Sequence, residues 1–258
     1  MVQLAANLEV LFNEAGPDCV DRAKAAAATG FDAVEMWGST GKDIPELSRA
    51  LVDLGLTMTA LVAEPNANLV FPGSDLQPFF DGLDRAIDDA GQLACRRIVV
   101  RSGIAFPGFN RQRNLDKLVE VYAKAVERIG DRDLVILHEP VNTRADHPGL
   151  LVDRTADAVK VIRAVGSPKL RLLFDFYHSA VEGEVAADEL PPAADLLEYV
   201  QFADYPSRGE PGSGTIDWPA SFALLKSVGY TGPIGLEHIP KGPTAPSVGY
   251  IMDLAKHA

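Results

Sequence analysis

Cysteine is nearly absent, with only Cys19 and Cys95 in a chain of 258 residues. No Cys-x-x-Cys pair exists, which excludes a thiolate zinc site and a thioredoxin-type motif. Two cysteines in so long a chain build no disulfide scaffold, so reduced thiols in a cytoplasmic protein are the simpler expectation. Long apolar runs are missing too. No stretch approaches the roughly 18 uncharged apolar residues of a membrane span, and the opening MVQLAANLEVLFNEAG lacks the basic head and long apolar core of a signal peptide. Basic side chains are outnumbered, 24 against 36 acidic ones, for a formal charge of −12. A surface of that sign repels phosphate backbones, so nucleic acid is not an expected partner. No low-complexity linker divides the chain. The hydrophobic share is 47%, enough apolar surface to offset the entropy of ordering, which excludes disorder.

What recurs is a short apolar run followed by a longer amphipathic segment. The runs Leu4–Leu8, Ala33–Met36, Leu56–Leu61, Arg97–Val100, Leu134–Leu137, Leu170–Phe174, Tyr199–Phe202 and Ile234–Leu236 are mostly continuous rather than alternating. That is the pattern of parallel strands covered on both faces. Helical patterns lie between them, over Asp18–Thr29, Ile44–Leu54, Leu76–Ala90, Leu115–Ile129 and Thr155–Val165. A short one is expected near Pro192–Leu197, a longer one over Trp218–Val228, and a last one over Val248–Lys256. Eight strand–helix units of about 30 residues are the arithmetic of a single (β/α)8 TIM barrel spanning 1–258. An open doubly wound sheet is the runner-up. It is disfavoured because Leu4–Leu8 leads to no glycine before Gly16, whereas that fold carries a Gly-rich phosphate turn after its first strand.

Active sites of such barrels lie at the C-terminal ends of the strands. Strands five to eight end in Glu139, Asp175, Gln201 and Glu237. Three carboxylates converging on one mouth repel unless a cation sits among them, and oxygen-rich sites suit Mg2+ or Mn2+. His178, three residues after Asp175, is open to three readings: support of a metal ligand, substrate contact or helix cap. His138 and His238 are expected to face the helices, and His147 and His257 to lie on the surface. Asp204 is read alternatively as a turn former. The most distinctive loop, residues 204–217, carries Arg208 and Glu210 among three glycines. Arg208 is a candidate clamp for a substrate carboxylate, since Arg grips carboxylates in bidentate fashion, and Glu210 is counted with it as a substrate contact. Arg101, ending strand four, is read either as a second arginine of the site or as a surface residue.

Several segments together resemble the hydroxypyruvate isomerase family of xylose-isomerase-like TIM barrels. They are Ala6-Asn7-Leu8 with Leu11-Phe12, Glu139-Pro-Val-Asn142, Asp175-Phe-Tyr-His178, Gln201-Phe-Ala-Asp204, Arg208-Gly-Glu-Pro-Gly-Ser-Gly214 and Gly235-Leu-Glu237. The likeness implies metal ligands Glu139, Asp175, Gln201 and Glu237, with Glu139 and Glu237 also the acid–base pair. It implies a small sugar acid or ketose as substrate and leaves homo-oligomer formation open. Ketose 3-epimerases of the same superfamily typically place a histidine where Gln201 stands, so the isomerase branch is favoured over them. A 2-oxo-tetronate isomerase is the other related alternative. Two segments depart from the family: Ala63–Gly73 lacks the usual Gly-Asp-Trp segment and arginine, and Glu35-Met-Trp37-Gly38 differs from the usual aromatic-proline run.

Overall fold

The computed structural model describes residues 2–66 and 68–257. Ala67, within the departing loop after the third strand, lies outside the described residues. Eight parallel strands, in chain order, close into a barrel. They are β1 Leu4–Asn7, β2 Ala33–Met36, β3 Thr57–Val62, β4 Arg97–Val100, β5 Val135–His138, β6 Leu170–Asp175, β7 Leu197–Phe202 and β8 Ile234–Leu236. The expected barrel and all eight expected strands are present at nearly the same bounds.

Helices α1 Cys19–Thr29, α2 Ile44–Leu54, α3 Gln77–Gln92, α4 Arg111–Ile129 and α5 Thr155–Val165 cover the first half of the ring. Their starts follow from side-chain caps. Asp18, Asp43 and Asn110 each accept a backbone N–H of the first turn, a cap worth about 1 kcal/mol. The Asn110 cap explains why α4 begins ahead of Leu115. In α2, Ile44, Leu47 and Leu51 form the buried stripe, each such side chain contributing roughly 1.5–3 kcal/mol by its burial.

The second half differs from expectation in one unit. Two short helices, α6 Phe176–Glu182 and α7 Ala186–Ala193, replace the single helix expected near Pro192–Leu197. Proline commonly opens a helix, but Pro191 and Pro192 lie inside α7 near its end, and Leu197 already begins β7. Helices α8 Trp218–Ser227 and α9 Thr244–Ala255 complete the ring.

Side chains alternate in and out along each strand, and two apolar layers result. Ala60, Val99, Leu137, Leu173 and Tyr199 fill the barrel interior. Outward neighbours such as Val34, Ile136, Leu172, Val200 and Leu236 join the larger core beneath the helices. The inward parity continues past the interior layer to Asn7 and Glu35 on β1 and β2, to Glu139 just after β5, to Asp175 and Gln201 on β6 and β7, and to Glu237 just after β8. The register sets Asn7 beside Glu35, Asp175 beside Gln201, and Gln201 beside Gly235.

Candidate active site

Glu139, Asp175, His178 and Glu237 are buried and offer atoms that all lie within 4.8 Å of one another. A cavity of about 210 Å3 opens onto this cluster, lined by Glu139, His178, Gln201 and Glu237, with Arg208, Arg101, Glu64, Trp37 and His147 around them. The structure thus brings together every residue expected to ligate a metal. It also places His178 and Arg208 against the same cavity. Glu210 lies elsewhere, in a hollow with Pro243, Pro246 and Tyr250, where it accepts the Lys241 backbone N–H. His147, expected on the surface, is half-buried, and its ring stands 5.5 Å from that of His178. His138 and His238 do face helices, bonding Tyr122 of α4 and Ser247 of α9.

Each carboxylate is held differently. Asp175 caps α6 through Oδ1, which accepts the His178 N–H at 2.9 Å, and this fixes Oδ2 where no group among the described residues bonds it. Gln201 donates through Nε2 to Glu35 at 3.0 Å, and its Oε1 is also without a partner. Leaving a buried acceptor unsatisfied costs about 1–3 kcal/mol. Two such oxygens beside two more carboxylates fit a hard divalent cation. Glu237 is the most tightly gripped. It accepts from Asn7 Nδ2 at 3.1 Å, from Trp37 Nε1 and from the Arg208 guanidinium at 2.6 Å. Glu139 has no side-chain hydrogen-bond partner among the described residues, and His178 Nε2 stands 3.9 Å away. Burial, then the charge of Glu237, pushes Glu139 well above the ordinary carboxylate range. Burial likewise raises Asp175 to about 7, with Arg208 opposing and Glu237 adding to it.

His178 is neutral, because burial and then the Arg208 charge hold it well below its usual pKa. Its tautomer follows from Asn142. The Asn142 Oδ1 accepts the Ala145 and Asp146 backbone N–H groups, so its Nδ2 faces His178 Nδ1 at 2.6 Å. The Asn142 backbone N–H reaches the same nitrogen at 3.2 Å. With Nδ1 accepting, the proton sits on Nε2, which makes His178 a donor toward Glu139 and the cavity rather than a cation ligand.

Arg208 is aimed by its loop. Asp204 accepts from Gly212 N, Ile216 N and Trp218 Nε1, which folds residues 204–217 over the barrel mouth. A side chain at Gly214 would meet Tyr205 O at 2.0 Å, so the loop closes only with glycine there. Arg208 itself takes φ 54°, a left-handed conformation that costs a non-glycine residue of order 1 kcal/mol. Its guanidinium also lies over the Tyr177 ring, 5.4 Å from the centroid.

Asn7, Glu35, Trp37 and Asn142 were missed as site residues by reasoning from strand ends. The inward parity of β1 and β2 would have found the first two.

The chain matches the family described as xylose isomerase-like TIM barrel over residues 23–254. It belongs to that family. Among its relatives in the family, a 2-oxo-tetronate isomerase of Cupriavidus necator is 32% identical, over 97% of this chain and 98% of the relative. A hydroxypyruvate isomerase of Escherichia coli is also 32% identical, over 95% and 96%. A crystal structure described as an AP endonuclease, family 2, from Brucella melitensis superposes with a TM-score of 0.90 at 29% identity, covering 98% of this chain and 99% of that one. The resemblance to hydroxypyruvate isomerases drawn from motif residues is therefore borne out over nearly the full length.

Proposed function

We propose that this protein is a metal-dependent isomerase of a small hydroxy-carbonyl acid, the simplest case being hydroxypyruvate to tartronate semialdehyde. The observation that carries the reading is the pair of glutamates after β5 and β8, Glu139 and Glu237, facing one cavity beside two orphaned oxygens. Glu139, Asp175, Gln201 and Glu237 would hold the cation, with Mg2+ or Mn2+ the match for such a donor set. When bound, the cation supplies Lewis-acid stabilisation of negative charge on the substrate oxygens.

The residues divide the remaining work. Glu139 has the fewest hydrogen-bond partners of the cluster, which leaves it free to gain and lose a proton. It takes the proton from C3 and returns one to C2, while the hydroxyl proton passes from O3 to O2. General acid–base steps of this kind are typically worth about 10²–10⁴-fold. Glu237, gripped by three donors, is the fixed partner. His178 donates its Nε2 proton to a substrate oxygen. Arg208 has committed its shortest contact to Glu237, whereas among the described residues Arg101 pairs only with Glu64, 3.8 Å away and itself about half exposed. We therefore assign the carboxylate clamp to Arg101 and give Arg208 the holding of Glu237. Arg101 at the edge of so small a cavity favours an acid over the neutral sugar of a ketose epimerase. Phosphodiester hydrolysis, suggested by the name of the endonuclease neighbour, sits badly with a charge of −12.

The test is an assay of hydroxypyruvate, 2-oxo-tetronates and neutral ketoses with Mn2+ and with EDTA, in deuterated water. Metal-dependent interconversion of an acid, with deuterium appearing at the new C–H, is expected. Full activity after exhaustive chelation, or a preference for neutral ketoses, would sink the proposal.

A further inference from the structure

We infer that Glu35 is a positioning residue, acting through Gln201 to turn that amide's oxygen toward the cation. The inference rests on the metal reading above and concerns a residue outside the ligand set. An amide has two ends that differ only in what they can bond. The Gln201 side chain presents an oxygen to the cation only if its nitrogen is held on the other side. Glu35 does the holding. Its Oε1 accepts Gln201 Nε2 at 3.0 Å, and the opposite end, Oε1 of Gln201, is buried without a partner. A carboxylate only accepts, so it selects the NH2 end of the amide and rejects the oxygen end.

Glu35 is itself locked. Asn7 Nδ2 donates to Oε1 at 2.9 Å, and the Tyr199 hydroxyl donates to Oε2 at 2.7 Å. Thr59 Oγ1 stands 2.7 Å from that hydroxyl on its other side. With three donors on two oxygens, Glu35 keeps no free oxygen for a cation. Its room in the barrel comes from β8. A Cβ at Gly235 would lie 2.3 Å from Glu35 Oε2, and Gly235 is the register neighbour of Gln201. The absent side chain at 235 makes the space through which β2 reaches the ligand on β7. Asn7 extends the support, because the same Nδ2 also donates to Glu237. Hydrogen-bond partners of ligands typically change metal affinity by 10- to 100-fold when removed.

The test measures Mn2+ dissociation constants by calorimetry on the parent, Glu35→Met, Glu35→Asp, Glu35→Gln and Gln201→Ala. The Glu35 changes are repeated in the Gln201→Ala background, with circular dichroism reporting folding. Glu35→Met removes the acceptor, and Glu35→Asp keeps the charge but shortens the reach; each should weaken Mn2+ binding about 10- to 100-fold. Glu35→Gln keeps an acceptor oxygen at full reach and should lose less than either. In the Gln201→Ala background all three should bind within about twofold of Gln201→Ala alone, since the group they act through is gone. If Glu35→Met does not fold, Glu35→Asp carries the comparison. Folded variants that bind Mn2+ like the parent, or whose losses persist undiminished without Gln201, would overturn the inference and leave the metal reading standing. A parent that binds no Mn2+ would overturn both.

Discussion

Asp175→Asn offers a direct measure of what the buried carboxylate cluster costs a metal-free protein. Burial raises Asp175 from an ordinary 3.8 to about 7. A folded-state pKa above the unfolded one means that the folded chain binds the extra proton between those values. The associated stability is fully present below pH 3.8 and is lost progressively as pH rises to about 7. At 1.36 kcal/mol per pH unit the whole interval amounts to about 4 kcal/mol, of which about 3 kcal/mol falls between pH 5 and pH 8. Other buried groups titrate in the same window. His138 and His238 are both lowered to about 4 by burial and so gain stability as pH rises to their unfolded value. Those two contributions are common to parent and variant and cancel in the difference, whereas the Asp175 charge is one cause of the raised Glu139 pKa, so its removal also relieves Glu139 and adds to the variant's gain. The amide of the variant would still cap α6 through its side-chain oxygen, which removes the main structural objection. In EDTA, therefore, Asp175→Asn should gain on the parent by at least about 3 kcal/mol between pH 5 and pH 8, read from urea denaturation at each pH. Saturating Mn2+ should close most of that gap at pH 8. A ligand at 100 times its Kd stabilises by about 2.7 kcal/mol, and the variant has lost one of the four proposed ligands. A stability difference that is flat with pH, or unmoved by Mn2+, would refute both the buried ionised state and the cation proposed to relieve it.

Other outcomes test separate parts of the site. Glu139→Gln, measured with metal occupancy confirmed, should lower kcat about 10²–10⁴-fold, and a turnover near the parent rate would remove Glu139 from the proton transfer. Arg101→Ala should raise KM for an acid substrate about 10- to 100-fold, the equivalent of a charged hydrogen bond of roughly 1.5–3 kcal/mol, while leaving a neutral ketose nearly unaffected. Equal losses on both substrates would return the clamp to Arg208. Asp204→Ala strips the acceptor from three N–H groups of the 204–217 loop and should destabilise the protein by about 2–4 kcal/mol. Thermal denaturation that matches the parent would show that the loop is held by other means.

The barrel was legible because its signal is repetitive and local. Eight short apolar runs between amphipathic segments leave few alternatives, and parallel strands covered on both faces have to be continuous in their hydrophobicity. The misread unit, residues 176–197, failed for a local reason as well. Two prolines in sequence suggest a helix start, but α7 accommodates them at its end, and α6 is too short to show a periodic stripe. Its start was nonetheless written in the chain, as Asp175 capping the His178 N–H.

The proposed ligand set could be read for the same reason as the fold. Glu139, Asp175, Gln201 and Glu237 each sit at or just past the end of an apolar run, where a barrel places its chemistry. Glu35 stands in the same position on β2, yet a single acidic residue inside Ala-Val-Glu-Met has no partner within its own segment to mark it. Its partners are Asn7, Tyr199 and Gln201, contributed by β1 and β7, and the space it occupies is a missing side chain on β8. None of these contacts leaves a trace in local periodicity. They exist only once the strands are in register around a closed circle, with the alternation of each strand in phase with its neighbours. Arg208 is the converse case. Its place beside the cavity followed from its loop, but its partner did not, and the Glu237 contact changes what the arginine is free to do. Strand parity therefore locates the site, and the choice of partners across the barrel decides which of its residues bind, which move protons and which only hold the others in place.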